Sequence, residues 1–225
     1  MNFYRVRIDR GKRKHFGCGI LVEGCEYIRK TCPQCNIERS IPSLDEWFND
    51  KEWVMKVYMH KDYYSDFTNS SIRPIVSKKA KRMLSEQFIK SADFGDMEMV
   101  SLRDLDEPFL KEVRDYSGSK AAKQIANDPP QYHRLLLQVG ADLDFQKTNI
   151  ELAINCPKCS LKKYRTPGFT YVSENTPHII QSTWKGFDLF HVEGLGNTIF
   201  CTERFIEVYN QYKLTGLEFE QVETV

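Results

Sequence analysis

Two short cysteine turns constrain the fold of this chain more than any other feature of its sequence. Cys32–Cys35 (CPQC) and Cys156–Cys159 (CPKC) share the pattern Cys-Pro-x-Cys, and they begin 124 residues apart. Such a spacer lets both sulfurs of a pair face one side, and two such pairs supply the four thiolates of a structural zinc site. The sequence therefore predicts one zinc ion bound by Cys32, Cys35, Cys156 and Cys159. A redox pair or plain buried thiols are the alternatives.

Composition and length are those of a soluble globular protein. The 225 residues are 41% hydrophobic and 28% charged, with a formal net charge of +1. No apolar run approaches the roughly 20 residues that span a bilayer, and the N-terminal residues lack the apolar segment of a secretory signal. Seven cysteines without such a signal indicate a reducing, cytoplasmic location. Cys201 is expected in the core, and Cys18 and Cys25 lack the spacing of ligands.

A weak internal repeat accompanies the cysteine turns. Ile75–Leu84 and Phe200–Tyr209 each have the pattern of a strand end, a capping residue and an amphipathic helix, with Ser77 and Thr202 as N-caps. The first cysteine turn begins 45 residues before Ser77 (32 to 77), and the second begins 46 residues before Thr202 (156 to 202). Duplication explains this near-equal spacing, and chance similarity of two common patterns is the alternative.

The sequence thus predicts an α+β fold of two pseudo-repeated halves, each of short antiparallel strands plus a helix, joined by the four-cysteine zinc site. The halves are residues 1–126 and 131–225, packed as one compact unit, and the boundary is placed at the two prolines that follow Asp128. The pattern also predicts a first strand at Phe3–Ile8 and a left-handed stop at Gly216 after the last helix.

No pattern in the sequence indicates catalysis. Phosphate-binding glycine loops, the GxSxG nucleophile turn and the HExxH metal motif are absent, and the five histidines are scattered. A shell of four thiolates leaves zinc no open position for substrate. We therefore expect no catalytic residues, no cofactor-binding residues and no enzymatic activity. Basic residues between positions 5 and 30, beside the first cysteine turn, favour a second interpretation, a zinc-ribbon protein that binds nucleic acid.

The C-terminal segment adds a family resemblance. Thr202–Phe205 reads TERF and Leu214–Phe219 reads LTGLEF. Together with the two distant CPxC turns, they resemble the double-CxxCG motif immunity proteins, known from contact-dependent toxin systems of myxobacterial type. Asn36 and Ser160 replace the glycine that follows each second cysteine in that family, and Asn tolerates the left-handed conformation of such a position better than Ser does.

The resemblance implies a cytoplasmic, non-enzymatic immunity protein of bacterial competition. Its partner would be a cognate protein toxin encoded by a neighbouring gene, and its metal would be a structural zinc ion. Neither a membrane nor a nucleic acid is an expected partner under this interpretation.

Overall fold

A computed structural model describes residues 1–8, 19–23, 28–41, 54–59, 64–69, 74–117, 125, 127–167, 176–196 and 198–225. Cys18 and Cys25 lie outside the described residues. So do residues 9–18, which hold four of the basic side chains near the first cysteine turn.

Strands predominate over helices in the described part of the chain. The α-helices are α1 (Lys78–Glu86), α2 (Glu107–Ser117) and α3 (Glu203–Gln211), and 3-10 helices cover Leu102–Asp104 and Gln181–Thr183. The strands are β1 (Phe3–Ile8), β2 (Gly19–Glu23), β3 (Ile28–Thr31), β4 (Glu38–Ile41), β5 (Met55–Met59), β6 (Phe67–Asn69), β7 (Pro74–Ser77), β8 (Asp93–Gly95), β9 (Met97–Val100), β10 (Tyr132–Leu136), β11 (Val139–Leu143), β12 (Glu151–Asn155), β13 (Lys162–Arg165), β14 (His178–Ile180), β15 (Leu189–Val192), β16 (Ile199–Thr202) and β17 (Leu217–Thr224). The predicted mixture of strands and helices is confirmed.

Six strands close into a barrel in the order β1, β16, β15, β11, β14 and β17, with β17 paired to β1. Two of these pairs, β11–β15 and β14–β17, are parallel, and the other four are antiparallel. Because side chains alternate between the faces of a strand, Phe3, Phe190 and Phe200 meet in one buried cluster, with ring centroids 5.6 and 6.1 Å apart. The expectation of antiparallel strands alone is therefore corrected: the chain builds a closed, mixed barrel.

The remaining strands form smaller sheets. An antiparallel sheet has the order β6, β7, β10, β8, and a second sheet has the order β2, β5, β9 with β5 and β9 parallel. Two separate hairpins, β3–β4 and β12–β13, stand apart from these sheets. The cysteine turns lie at the tips of the two hairpins.

The first strand of each predicted half pairs with the other half. β1 lies between β16 and β17, and β10 lies between β7 and β8. Arg5 in β1 and Arg134 in β10 take the same place in the middle of their strands, and both are buried. Residues 1–126 and 131–225 therefore share their sheets, and the proposed boundary between them stays a prediction.

Helices α1 and α3 begin in similar ways. Ser77 Oγ accepts a hydrogen bond from the Ala80 N–H at 3.1 Å, so the predicted N-cap is confirmed. Thr202 also occupies the N-cap position of its helix, but its hydroxyl donates to Asp188 Oδ1 at 3.2 Å and makes no capping bond. Both helices are nine residues long.

Two buried aspartates, Asp66 and Asp188, hold these helix starts. The N–H of Ser77 donates to Asp66 O at 2.8 Å, and the N–H of Thr202 donates to Asp188 O at 3.0 Å. The hydroxyl of each capping residue also bonds the carboxylate of its aspartate, at 2.7 and 3.2 Å. The same short set of bonds therefore occurs at both strand-to-helix junctions.

Each aspartate also contacts the turn that follows the opposite helix. Asp66 Oδ2 accepts from the Thr215 N–H at 3.1 Å, and Asp188 Oδ2 accepts from the Lys90 N–H at 3.0 Å. Thr215 lies four residues beyond the end of α3, and Lys90 lies four residues beyond the end of α1. Each carboxylate thereby ties the start of one helix to the end of the other.

Two basic side chains make a matching pair of contacts between the helices. Lys79 Nζ donates to Lys213 O at 3.2 Å, and Arg204 Nη2 donates to Gln87 O at 2.9 Å. Each cation also lies near the aspartate of its own junction, at 3.4 and 3.5 Å. Helices α1 and α3 therefore lie antiparallel, and the N-terminus of each is bonded to the C-terminus of the other.

Both helices end in the same turn. Phe88 and Lys213 have left-handed backbones, with φ of 53° and 50°. The N–H of the following residue, Ile89 or Leu214, donates to the carbonyl five positions earlier, at 3.0 and 2.9 Å. These bonds define a Schellman motif. The predicted left-handed stop at Gly216 is wrong in position, because α3 ends at Gln211 and its left-handed residue is Lys213, whereas Gly216 takes its positive φ of 101° three residues later.

The inner faces of α1 and α3 share one core. Apolar residues recur at helical spacing on each helix, and they are buried in a single cluster with side chains of β1, β15 and β16. The helical members are Ala80, Met83, Leu84, Phe205, Val208 and Tyr209. The outward face of the barrel strands is thus covered by the helix pair.

Candidate metal centre

The structure brings the four predicted ligands together. Cys32 and Cys35 lie in the turn between β3 and β4, and Cys156 and Cys159 lie in the turn between β12 and β13. Their four sulfur atoms all lie within 4.8 Å of one another. Two hairpins that are distant in sequence therefore meet tip to tip, with one sulfur pair from each.

The two turns have the same backbone geometry. The N–H of Cys32 donates to Ile37 O at 3.0 Å, and the N–H of Cys156 donates to Leu161 O at 2.9 Å. The residue after the second cysteine is left-handed in both, with φ of 55° at Asn36 and 56° at Ser160. A serine therefore adopts, in the second turn, the conformation that glycine or asparagine adopts at lower cost.

The distances between sulfurs match tetrahedral coordination. Cys32 Sγ lies 3.8 Å from Cys156 Sγ, and Cys35 Sγ lies 3.8 Å from Cys159 Sγ. A Zn–S bond of about 2.3 Å at the tetrahedral angle places two sulfurs about 3.8 Å apart. A disulfide would need about 2.05 Å, and all four cysteines are free thiols. The cluster therefore has the dimensions of a four-thiolate metal site.

Backbone donors stabilise the thiolate form of the first cysteine in each turn. The N–H groups of Cys35 and Gln34 donate to the Cys32 sulfur and lower the pKa of that thiol to about 6. The N–H of Cys159 lowers the pKa of Cys156 in the same way, against the opposing effect of burial. These two thiols are therefore prepared to act as anionic ligands.

The second cysteine of each turn behaves in the opposite way. The N–H groups of Ile37 and Leu161 lower the pKa of Cys35 and Cys159, but burial and the neighbouring thiols outweigh them. The pKa of Cys35 is raised, and that of Cys159 rises to about 11. Four thiolates at this separation repel one another, and a divalent cation at their centre would remove that repulsion.

The four-cysteine cluster is buried on one side and partly exposed to solvent on the other. Cys32 and Cys156 are buried, whereas Cys35 and Cys159 are half-buried. A metal ion bound by all four sulfurs would have a complete tetrahedral shell, with no position left for water or substrate. Such an arrangement can crosslink two hairpins, and it has no vacant ligand position for Lewis-acid catalysis.

The cysteine Cys201 has no part in this cluster. It is fully buried beside α3, and burial raises its pKa well above the ordinary value. Its predicted place in the core is confirmed.

The sequence did not identify Asp66 and Asp188, since aspartates 11 and 14 residues ahead of a capping hydroxyl form no recognised motif.

None of the helices described is long and apolar enough to cross a membrane. No protein-family model matches the chain, and no curated protein matches it in sequence.

Proposed function

We propose that Cys32, Cys35, Cys156 and Cys159 hold one zinc ion with a structural role. The observation that supports this is the pair of 3.8 Å sulfur separations. Four soft thiolates in tetrahedral array suit zinc or a single iron ion, and the closed shell suits a crosslink. Metal analysis of the purified chain separates the two metals.

We also propose that the chain is an internal duplication whose halves exchange their first strands. The matched aspartate junctions, helix ends and cysteine turns support this proposal. So does the strand order, since β6-β7-β10-β8 corresponds to β15-β16-β1-β17. The zinc ion would then join equivalent hairpins of the two halves.

The cellular function we propose is that of an immunity protein, which binds and neutralises a cognate protein toxin. The observation that carries this proposal is the combination of two CPxC turns with the TERF and LTGLEF segments in one chain. Residues of the TERF and LTGLEF segments have structural roles in the fold. Phe205 is fully buried, and a side chain at Gly216 would lie 2.0 Å from Phe67 O. The motif residues thus support a shared scaffold, and the toxin would contact other residues.

The test is co-expression with the product of the adjacent reading frame. We expect growth protection at about equimolar expression and a complex that elutes as one species from a sizing column. As a control for the effect of a single surface substitution, Asp142→Ala changes an exposed carboxylate and should protect as well as the wild-type chain. Toxicity that persists while the chain is folded and abundant would contradict the proposal.

A nucleic-acid-binding zinc ribbon is the second candidate. The observation in its favour is the basic character of the two cysteine hairpins, where Lys30, Lys158 and Lys163 are exposed. Cations beside a rigid turn can follow a phosphate backbone. A gel shift with mixed-sequence DNA and RNA tests this candidate, and binding that weakens steeply with salt would favour it over the immunity function.

A further inference from the structure

The aromatic side chain of Phe88 is exposed to solvent, whereas in an isolated protein such a ring is normally buried. Phe88 follows α1 with 80% of its surface exposed, the largest exposure among the big apolar side chains of the described residues. Its backbone is left-handed, with φ of 53°, a conformation that bulky residues rarely adopt. The residue therefore costs stability through its backbone, and its ring gains nothing from burial.

The duplicated architecture supplies an internal reference for this position. Lys213 occupies the equivalent place after α3, with φ of 50° and the same Schellman bonds. The turn itself therefore requires a left-handed residue and does not require an aromatic one. Glycine or asparagine is the common choice at such a site. The phenylalanine needs an explanation other than the turn.

The exposed face of α1 is basic over the same stretch. Lys78–Lys90 contains five Lys or Arg residues and one Glu, whereas the equivalent Glu203–Thr215 contains two of each sign. Lys78 and Arg82 are exposed and lie one helical turn apart, so they share a face. Lys78 also stands at the positive end of the helix dipole, where a carboxylate would be the favourable residue. The α1 face thus carries a second feature that the isolated fold does not favour.

We infer that this face, residues 78–90, is the surface that binds the protein partner, with Phe88 as its apolar anchor. An anchor of this kind inserts into a pocket, its near neighbours exclude water, and a polar, solvent-accessible rim lies outside them. The exposed cations Lys78 and Lys90 fit an acidic surface around that pocket. Arg82, which lies 3.9 Å from Glu86, adds an exposed ion pair to this face. The partner is therefore a protein with an apolar pocket and an acidic rim. The inference rests on the proposed function, because it specifies where the toxin binds.

Two substitutions of Phe88 test the anchor: one should weaken binding to the partner, and the other should preserve it. Phe88→Asn removes the ring and places a residue that tolerates left-handed backbone, so the melting temperature should rise by about 2 to 4 °C. The same substitution should weaken binding to the co-expressed product of the adjacent reading frame by at least about tenfold. Phe88→Trp should keep the affinity within about threefold. Lys213→Asn, the matched control, should raise the melting temperature similarly and leave the affinity unchanged.

The charges are tested in the same assay. The double substitution Lys78→Glu with Lys90→Glu should slow association by about tenfold at low salt, and the difference should shrink as salt screens the charges. The melting temperature should change little, because Glu at position 78 suits the helix dipole and offsets the cation lost beyond the helix C-terminus at position 90.

Each possible result has one interpretation. Failure of the wild-type chain to bind the adjacent product would overturn the proposed function itself. Equal binding by wild type and Phe88→Asn would overturn only this surface. A lower melting temperature for Phe88→Asn would show that the ring has a structural role. Binding of mixed-sequence single-stranded DNA, or self-association in sedimentation, that Phe88→Asn abolishes would assign the face to another partner and contradict the inference.

Discussion

Replacing Asp66 by alanine should destabilise the whole protein, although this residue is not a member of the cysteine cluster. Its carboxylate accepts bonds from Ser77 Oγ at 2.7 Å and from both the N–H and the hydroxyl of Thr215 at 3.1 Å. Lys79 Nζ lies 3.4 Å away. Ser77 and Thr215 are 138 residues apart (77 to 215), so the substitution would separate the start of α1 from the turn after α3.

The magnitude follows from these partners. A hydrogen bond to a charged group contributes about 1.5 to 3 kcal/mol, and donors left buried without an acceptor lose more than the bond itself. The contributions are not additive, so the loss should be about 3 to 5 kcal/mol, as for other broken buried charge networks. For a chain of this length that corresponds to a fall in melting temperature of roughly 6 to 20 °C. Asp188→Ala should cost somewhat less, since its carboxylate accepts from the Thr202 hydroxyl and the Lys90 N–H and has no counterpart of the Thr215 hydroxyl bond.

Urea denaturation followed by fluorescence measures this difference, with Asp142→Ala as the exposed control. The control should change the free energy of unfolding by less than about 0.5 kcal/mol. Asp66→Asn keeps one acceptor oxygen and should fall between the two. If Asp66→Ala unfolds at the same urea concentration as the control, the aspartate junctions do not hold the helices and the reasoning is refuted.

Three further changes have expected outcomes. Gly216→Ala should cost more than about 2 kcal/mol, because its methyl group would lie 2.0 Å from Phe67 O at a φ of 101°; an unchanged denaturation midpoint would contradict this. Ser160→Gly should stabilise the metal-bound chain by about 1 kcal/mol through relief of its left-handed backbone, and a loss of stability would count against that geometry. Burial and the nearby Lys81 lower the pKa of His133, so the unfolded state binds more protons and stability should fall as pH drops below about 6.5. Chemical denaturation at pH 7 and pH 5.5 measures how the free energy of unfolding depends on pH, and His133→Gln should reduce this dependence. The same dependence in His133→Gln and wild type would exclude the histidine as its source.

Local features of the fold could be predicted from the sequence. The strand Phe3–Ile8 alternates in polarity, and the cap at Ser77 precedes apolar residues at helical spacing. The cysteine pairs are equally local, because two residues between ligands fix how both sulfurs point. These predictions depend only on residues within a few positions of each other, where geometry is set by the backbone.

The closure of the barrel could not be predicted in the same way. β14 pairs in parallel with β17, and His178 lies opposite Glu223. These residues are far apart in sequence, and no local sequence pattern specifies that they pair. The pairing of β1 with β16 and β17, and of β10 with β7 and β8, is equally non-local. Either strand would satisfy its alternation beside many partners. Asp66 shows the same limit for side chains, because its acceptor role depends on Thr215, 149 residues away.

The helix ends show a different limit. Glycine is the commonest left-handed residue, so the sequence predicts that Gly216 stops α3. The chain instead places Lys213 and Phe88 in those positions, at φ of 50° and 53°. Tertiary bonds to Asp66 and Asp188 fix where each turn falls and override the local preference.

The metal content of the purified chain tests the central claim most directly. Protein expressed without added metal and analysed by inductively coupled plasma mass spectrometry should contain about one zinc per chain. Cys156→Ser should lose that zinc and several kcal/mol of stability, because ligand binding is linked to folding. A chain that contains no metal, exposes four reactive thiols near the hairpin tips and unfolds at the same temperature as Cys156→Ser would contradict the claim that this cluster binds a structural zinc ion.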